Sequence, residues 1–441
     1  MQGPYIPSLE EIMQLKQICL ALATTDAKDP GLQDLSCLKH IVAGATVVGL
    51  GEQTHGTREF FQMKHRILNF LVTQMGFRLF AIKANMGTCE AINDYIQNGI
   101  GKLKSLMKKF YCGTSQEVFD VIEWMRAYNQ TATSNDKIYF AGFDFQDPAL
   151  NRAIIEKAFA NIGDNNATNL IESIFSNYNT IKRIVESQIL SDDQLADIQH
   201  SSQYQQLLAN IELLDQYVTK AASELGDNQF IWIKQNVNLL RQSAVYLLDF
   251  DMRHQAMLEN IQWIQSQYPE AKTVLWAHNF HLQKHDEQLG LGELLNETFG
   301  NMYCTIGFAT YSGTYSAQSK NKKQARDVKI PKPTADSLEA NLQRLQIPIA
   351  LVDFKDRQKI PYFLKLPIPV HVLTTIAETH SYRPQIVSTA YDAIVFIART
   401  SASQQMQSKP AKTSAFGMFE QSATNDAPVK QASSKKSPRK S

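Results

Sequence analysis

The chain has 441 residues, 44% of them hydrophobic and 20% charged, a composition that belongs to folded proteins and excludes a collagenous or wholly disordered chain. Lys and Arg number 44 against 43 Asp and Glu, so the formal charge of +1 gives no global reason to recruit a nucleic-acid backbone or an anionic membrane. The cysteines (Cys19, Cys37, Cys89, Cys112, Cys304) are scattered and lack any C-x-x-C pair, which disfavours a disulfide framework or a zinc knuckle. Polar residues interrupt Ile12 to Ala23, and no apolar run approaches the roughly 18 residues of a membrane span. The expected setting is cytoplasmic, with no signal peptide and no membrane association.

In chain order, short β-branched or aromatic runs predict buried strands at Thr46 to Leu50, Leu79 to Lys83, Lys137 to Ala141, Thr273 to Ala277, Tyr303 to Phe308, Ile349 to Phe354 and Asp392 to Ile397. Helical patterns separate most of them. From Thr57 to Met75, Phe60, Lys64, Ile67, Leu68, Leu71 and Val72 keep helical spacing and Gly76 supplies the stop. The fold class is therefore α/β, a largely parallel sheet covered by helices. Between Ala149 and Tyr268 there is no proline and no convincing strand. This stretch is either an all-helical insertion or the helices that complete the layer over the sheet. Tyr311 to Pro333 reads as a long polar loop ahead of a helix capped by Asp336 or Ser337.

Beyond Thr400 apolar residues are too few to offset the entropy of ordering, so a disordered tail is expected. It carries seven Lys or Arg against Glu420 and Asp426. A solvated charge run is the plain reading, and an anionic partner is the alternative. The expected organisation is a first part of the α/β core (1–148), a helical insertion (149–268), a second part of the core (269–400) and the basic tail (401–441).

Open parallel sheets bind ligands outside the carboxyl ends of their strands. Four predicted strands end in polar text: Gly51-Glu52-Gln53-Thr54-His55-Gly56, Lys83-Ala84-Asn85, Gly142-Phe143-Asp144-Phe145-Gln146-Asp147 and His278-Asn279-Phe280-His281. Such a set is costly to bury without a function. His65, on a helix flank, is expected away from it. G-x-S-x-G, the phosphate-binding G-x-x-x-x-G-K-[ST] and H-E-x-x-H are all absent, which argues against a serine-elbow hydrolase, a P-loop nucleotidase and a zincin.

Gly51 to Phe60, followed by Lys64-His65-Arg66, resembles the opening motif of the erythromycin esterase family. Gly142 to Gln146, Arg253 with Met257 and Asn260, Trp276 to His281, Ser337-Leu338-Glu339 and Tyr391 to Phe396 resemble later blocks in the same order, so the likeness runs from about Cys37 to Thr400. The resemblance implies an α/β core, a helical subdomain bordering a cleft, and hydrolysis of an ester or macrolide lactone without a serine nucleophile. It implies His55 as general base, with Glu52 beside it and His278 or His281 opposite, and His55, Glu52 and His278 as the catalytic set. Lys64, Lys83, Asp144, Gln146, Asn279 and His281 become substrate contacts, with Lys64 and His278 available to an oxyanion. No cofactor and no metal are expected, and the partner is a small-molecule ester or lactone. A metal-dependent site built from His55, Glu52, His278 and His281 is a further reading.

Lys83 stands where the family carries a glutamate, and His254 where an aspartate is common. A cation in place of an acid leaves two outcomes open: an active hydrolase, or a silenced or repurposed member that binds a ligand or partner.

Overall fold

Alternation along the apolar runs sorts their side chains onto two faces of a sheet. The computed structural model describes residues 5–109, 115–163, 165–285, 290–318, 324–373 and 380–406. Its strands are β1 (Cys19–Ala21), β2 (Val47–Leu50), β3 (Phe77–Asn85), β4 (Tyr139–Asp144), β5 (Lys272–Trp276), β6 (Tyr303–Gln318), β7 (Gln324–Lys329), β8 (Ile349–Asp353), β9 (Ile368–Leu373), β10 (His380–Gln385) and β11 (Ala393–Thr400). The main sheet has the order β1-β8-β11-β6-β2-β5-β3-β4, with β7 added beside β6, and β9 and β10 form a separate antiparallel pair. Every neighbour contact from β11 through β4 is parallel, while β8 lies antiparallel to both β1 and β11. The carboxyl ends of β2, β3, β4 and β5 consequently share one edge.

Val48, Phe80, Ile82, Val274, Trp276 and Cys304 face helices Arg58–Met75, Met86–Asn98 and Gln116–Thr131. Their chain neighbours Val47, Leu79, Ala81, Leu275 and Tyr303 face helices Met252–Gln267 and Leu291–Phe299 on the other side. This is the period of two that a doubly covered sheet requires. Gly76 ends the first of these helices in the left-handed region, at φ 73°, where a Cβ would be strained.

The two readings of the segment after β4 divide along its length. Helices Pro148–Ile162, Asn165–Ser187, Ser202–Lys220 and Asp227–Tyr246 bury Phe159, Ile171, Leu207, Leu214 and Val237 against one another in a cluster of their own. Helix Met252–Gln267 instead lays Met257, Ile261 and Ile264 on the sheet. Among the described residues no helix is long and apolar enough to cross a membrane.

Three expectations need correction. Most of Tyr311 to Pro333 is strand rather than loop: β6 continues to Gln318 and β7 returns beside it, with Thr314 opposite Lys329. Only Tyr315 and Ala317 of that stretch of β6 bury against Ile330 and Leu373, so its Ser, Thr and Gln residues concealed the alternation. β1, β9 and β10 are short or carry proline, and gave no strand signal. The folded part also passes Thr400. Ser401 to Gln405 run along the turn before helix Arg58–Met75, where Arg58 N–H donates to Ser401 O at 3.0 Å and Ser403 N–H to Gly56 O at 2.8 Å. Ser401 N–H reaches Glu59 Oε2 at 2.7 Å, and Gln404 N–H reaches Glu117 Oε1 at 3.1 Å. The expected disorder from 407 onward lies outside the described residues.

At about 0.5–1.5 kcal/mol per hydrogen bond, this strap is a measurable part of the stability. A chain ending at Thr400 should melt about 2–7 °C below one ending at Met406 by calorimetry. Equal melting temperatures would show that the strap contributes nothing.

Candidate functional site

After β2 the chain turns through Gly51 to Thr57 before entering helix Arg58–Met75. The turn passes so close to the loop after β5 that a Cβ on Gly51 would lie 2.2 Å from Asn279 Oδ1, which leaves room for glycine alone. Asn279 holds the two loops together. Its N–H donates to Glu52 O at 2.8 Å, its Nδ2 donates to Phe308 O at 2.7 Å, and its Oδ1 accepts from Phe308 N–H at 3.0 Å. Expected as a substrate contact, it uses both ends of its amide on the β6 backbone.

Glu52 is the buried centre of the turn, 1% exposed. Its Oε1 meets His55 Nδ1 at 2.5 Å, while Oε2 accepts from Lys64 Nζ at 2.7 Å and from Trp276 Nε1 at 2.8 Å. Burial alone would raise its pKa, but the charge of Lys64 and the hydrogen bonds from His55 and Lys64 outweigh it and hold the carboxyl at about 2. Lys64 also lies 4.3 Å from the centre of the Trp276 ring and is 0% exposed. Lys64, expected as a substrate or oxyanion contact, has its ammonium buried against Glu52. A carboxylate only accepts, so in this contact the His55 Nδ1 carries a proton, and Nε2 is the ring nitrogen turned away from Glu52. Of the dyad the imidazole reaches the surface, with 15% of its side chain exposed against 2% for Glu52.

His278 stands 5.1 Å from His55, ring centre to ring centre. It caps the short helix Asn279–Leu282, its Nδ1 accepting from Phe280 N–H at 3.2 Å, and its Nε2 lies 2.9 Å from Gln53 O. A carbonyl only accepts, so His278 is neutral with its proton on Nε2. Both ring nitrogens of His278, expected in the catalytic set, thus meet backbone groups.

The other predicted residues form a second group. Arg253, from helix Met252–Gln267, donates to Asp144 Oδ2 at 2.8 Å and to Gln146 Oε1 at 2.7 Å, and Gln146 donates to the Tyr246 hydroxyl at 3.3 Å. Burial opposes ionisation of Asp144, yet the charges of Arg253 and Lys83 keep its pKa below the ordinary value. His281 is buried, with its Nδ1 3.3 Å from His254 Nε2. Burial first, then the charge of Lys83 and the neighbouring His254 and Arg253, push it well below the usual imidazole range, so it is neutral. Glu52 thus bonds to His55, Lys64 and Trp276, while the charge of Lys83 acts on Asp144 and His281. His65 packs against Trp124, ring centres 5.2 Å apart, and burial lowers it to about 4. Among the described residues no group of three or more His, Cys, Asp or Glu side chains is placed to hold a metal ion.

Two residues escaped individual notice in the sequence. Gln53, 2% exposed, donates through Nε2 to Glu339 Oε1 at 2.8 Å and to His371 O at 2.9 Å, and its Oε1 accepts from Thr310 N–H at 2.9 Å. Glu339 lies 286 positions away and is 0% exposed. Its position in Ser337-Leu338-Glu339 marked it only as family text, because no local pattern reveals a contact of that separation.

The arrangement is a cluster of polar side chains at the carboxyl edge of a doubly covered parallel sheet. The erythromycin esterase family profile matches residues 72–400, and the chain belongs to that family. The match begins after the Glu52–His55 turn. The chain is 24% identical over 366 residues to the putative hydrolase YbfO of Bacillus subtilis strain 168, covering 75% of this chain and 78% of that protein. It is 25% identical over 373 residues to erythromycin esterase type II of Escherichia coli, covering 76% and 88%. Among solved structures, a succinoglycan biosynthesis protein superposes with a TM-score of 0.74 at 25% identity, covering 90% of this chain and 98% of that one. A mutant of the erythromycin esterase EreC in its open conformation shares the fold, with a TM-score of 0.64 at 17% identity over 89% and 100% of the two chains.

Burial pushes the Glu339 carboxyl up to about 7 from 4.5. Below pH 4.5 it is neutral in both the folded and unfolded chain. From there to pH 7 only the unfolded chain ionises, so rising pH removes stability, and about 3 kcal/mol is lost above pH 7. Urea titrations from pH 5 to 8 should show Glu339→Gln gaining on wild type as pH rises. A difference that does not change with pH would refute the buried neutral carboxyl.

Proposed function

We propose that the chain is a hydrolase of a small-molecule ester or lactone, using water activated by His55. The observation that carries this reading is the Glu52–His55 contact of 2.5 Å at the carboxyl end of β2, with the carboxylate buried and the imidazole at the surface. Membership of the erythromycin esterase family and the likeness to the Escherichia coli and Bacillus subtilis proteins support it. His55 Nε2 takes a proton from water as the water oxygen adds to the carbonyl carbon. Collapse of the tetrahedral adduct breaks the ester C–O bond. The imidazolium returns the proton to the departing alkoxide, leaving an acid and an alcohol. Glu52 orients the ring and stabilises the imidazolium, and Lys64 keeps Glu52 ionised through the cycle.

The acid that assists His55 is Glu52, so a cation at position 83 does not disable the dyad. Lys83, Asp144, Gln146 and His281 form the substrate side, where the charge of Lys83 is available to the carbonyl oxygen as negative charge develops on it. A macrolide is one lactone that fits the family name, and the reading commits only to the ester bond.

Turnover of a panel of lactones and simple esters by purified protein tests the reading directly. His55→Ala should lower kcat/KM by about 10²–10⁴ with little change in fold by circular dichroism. Activity that persists in this variant would exclude His55 as the base.

Lys83→Glu distinguishes a working site from a silenced one. It would place a carboxylate beside buried Asp144 and remove positive charge from the substrate side. Hydrolysis of an activated ester should fall by at least about tenfold. A gain of activity would instead identify Lys83 as the residue that silences an esterase site, and the chain as a repurposed binder.

A further inference from the structure

Gln53 lies between the two members of the dyad and is held from three directions. Thr310 N–H on β6 donates to its Oε1, and its own Nε2 donates to His371 O and to Glu339 Oε1. Its main-chain carbonyl accepts the Nε2 proton of His278 at 2.9 Å, and that bond, with the cap at Phe280 N–H, sets the ring beside His55. Glu339 is thus two hydrogen bonds from His278 and belongs to no part of the mechanism above.

Its surroundings are unusual for a residue that only fills space. Oε1 takes both the Gln53 amide and the His371 N–H, the latter at 3.0 Å. Oε2 is buried without a hydrogen-bond partner. The Ser337 hydroxyl lies beside it, the charges of Glu339 and Asp336 reach Tyr382, and the two ring nitrogens of His371 are also buried without partners. That ring stacks on Tyr382 with centres 4.7 Å apart and meets His380 at 5.6 Å. A hydrocarbon of equal volume would satisfy such a pocket better, unless the one accepting oxygen is needed where it is.

We propose that Glu339 is a positioning residue of the hydrolytic site, holding Gln53 so that the Gln53 carbonyl keeps His278 in its Nε2–H form beside His55. The inference rests on the functional reading above in one respect, that His55 is the base. The positional link from Glu339 to His278 stands apart from it. Loss of the acceptor leaves the Gln53 amide and the His371 N–H without their carboxyl partner, and the turn that carries Glu52 and His55 relaxes. Because such a change acts on geometry rather than on substrate contact, it should appear in kcat and spare KM.

The test uses the full chain with Glu339→Ala, which removes the acceptor, and Glu339→Gln, which keeps an oxygen at that place. Long-range ¹H–¹⁵N spectra of the imidazoles report the His278 tautomer whether or not any substrate is known. Wild type and Glu339→Gln should show the Nε2–H form, and Glu339→Ala a mixture of tautomers or an altered His278 shift. In ester hydrolysis Glu339→Ala should lose at least about tenfold in kcat with KM within about threefold, and Glu339→Gln should stay within about threefold of wild type. An unchanged His278 signal in Glu339→Ala overturns the proposal, as does an equal loss of kcat in both variants. Should Glu339→Ala not fold, Glu339→Met preserves the volume without the acceptor and is read in the same way. If wild type hydrolyses no ester, the functional reading fails while the imidazole spectra still decide the role of Glu339.

Discussion

A carboxylate that is 1% exposed remains charged only where its neighbours replace the water it has lost, and Glu52 is placed at such a point. Lys64 supplies the opposite charge, Trp276 a neutral donor, and His55 the third hydrogen bond. The ion pair is withdrawn from solvent, and of the groups bonded to Glu52 the His55 ring is the one that reaches the surface. The same contact places a proton on Nδ1 of His55, because an anionic oxygen can only accept.

The sheet explains how these groups meet. Glu52 and His55 follow β2, Trp276 closes β5 and His278 follows it, and β2 and β5 are parallel neighbours, with Leu50 opposite Trp276. Lys64 comes from the helix that leaves the same turn. Parallel strands bring their carboxyl ends to a common edge, so residues far apart in sequence converge without any special device. Asn279 then joins the turn after β2 to Phe308 within β6, through its own N–H and its side-chain amide.

The second group of polar residues has a different origin. Asp144 and Gln146 follow β4, but the side chains that order them, Arg253 and Tyr246, come from the helical segment between β4 and β5. Most of that segment packs on itself, so its sequence can vary without disturbing the sheet, while its last helices reach the site edge. This division separates a dyad built by the sheet from surroundings shaped by an added layer, which is how one fold accommodates different substrates.

The sequence by itself determined the strands with strong β-branched runs, the helix from Arg58 to Met75 with its glycine stop, and the four polar strand ends. Each is a local property, set by side-chain period and turn chemistry over a few residues. It also carried the family motifs around His55 and His278. Only the tertiary structure decided which polar residues meet one another. Lys64 and Asn279 read as site residues from their motifs, and in the fold one meets Trp276 while the other meets the Phe308 backbone. Lys83 read from the sequence as a cation in place of an acid, and the structure adds that its charge acts on Asp144 and His281, residues brought there by β4 and the loop after β5. The bond from Gln53 to Glu339 spans 286 positions, and strand β7 is visible only through its pairing with β6. Burial and pairing are properties of contacts between distant segments, and no periodicity within a single segment records them.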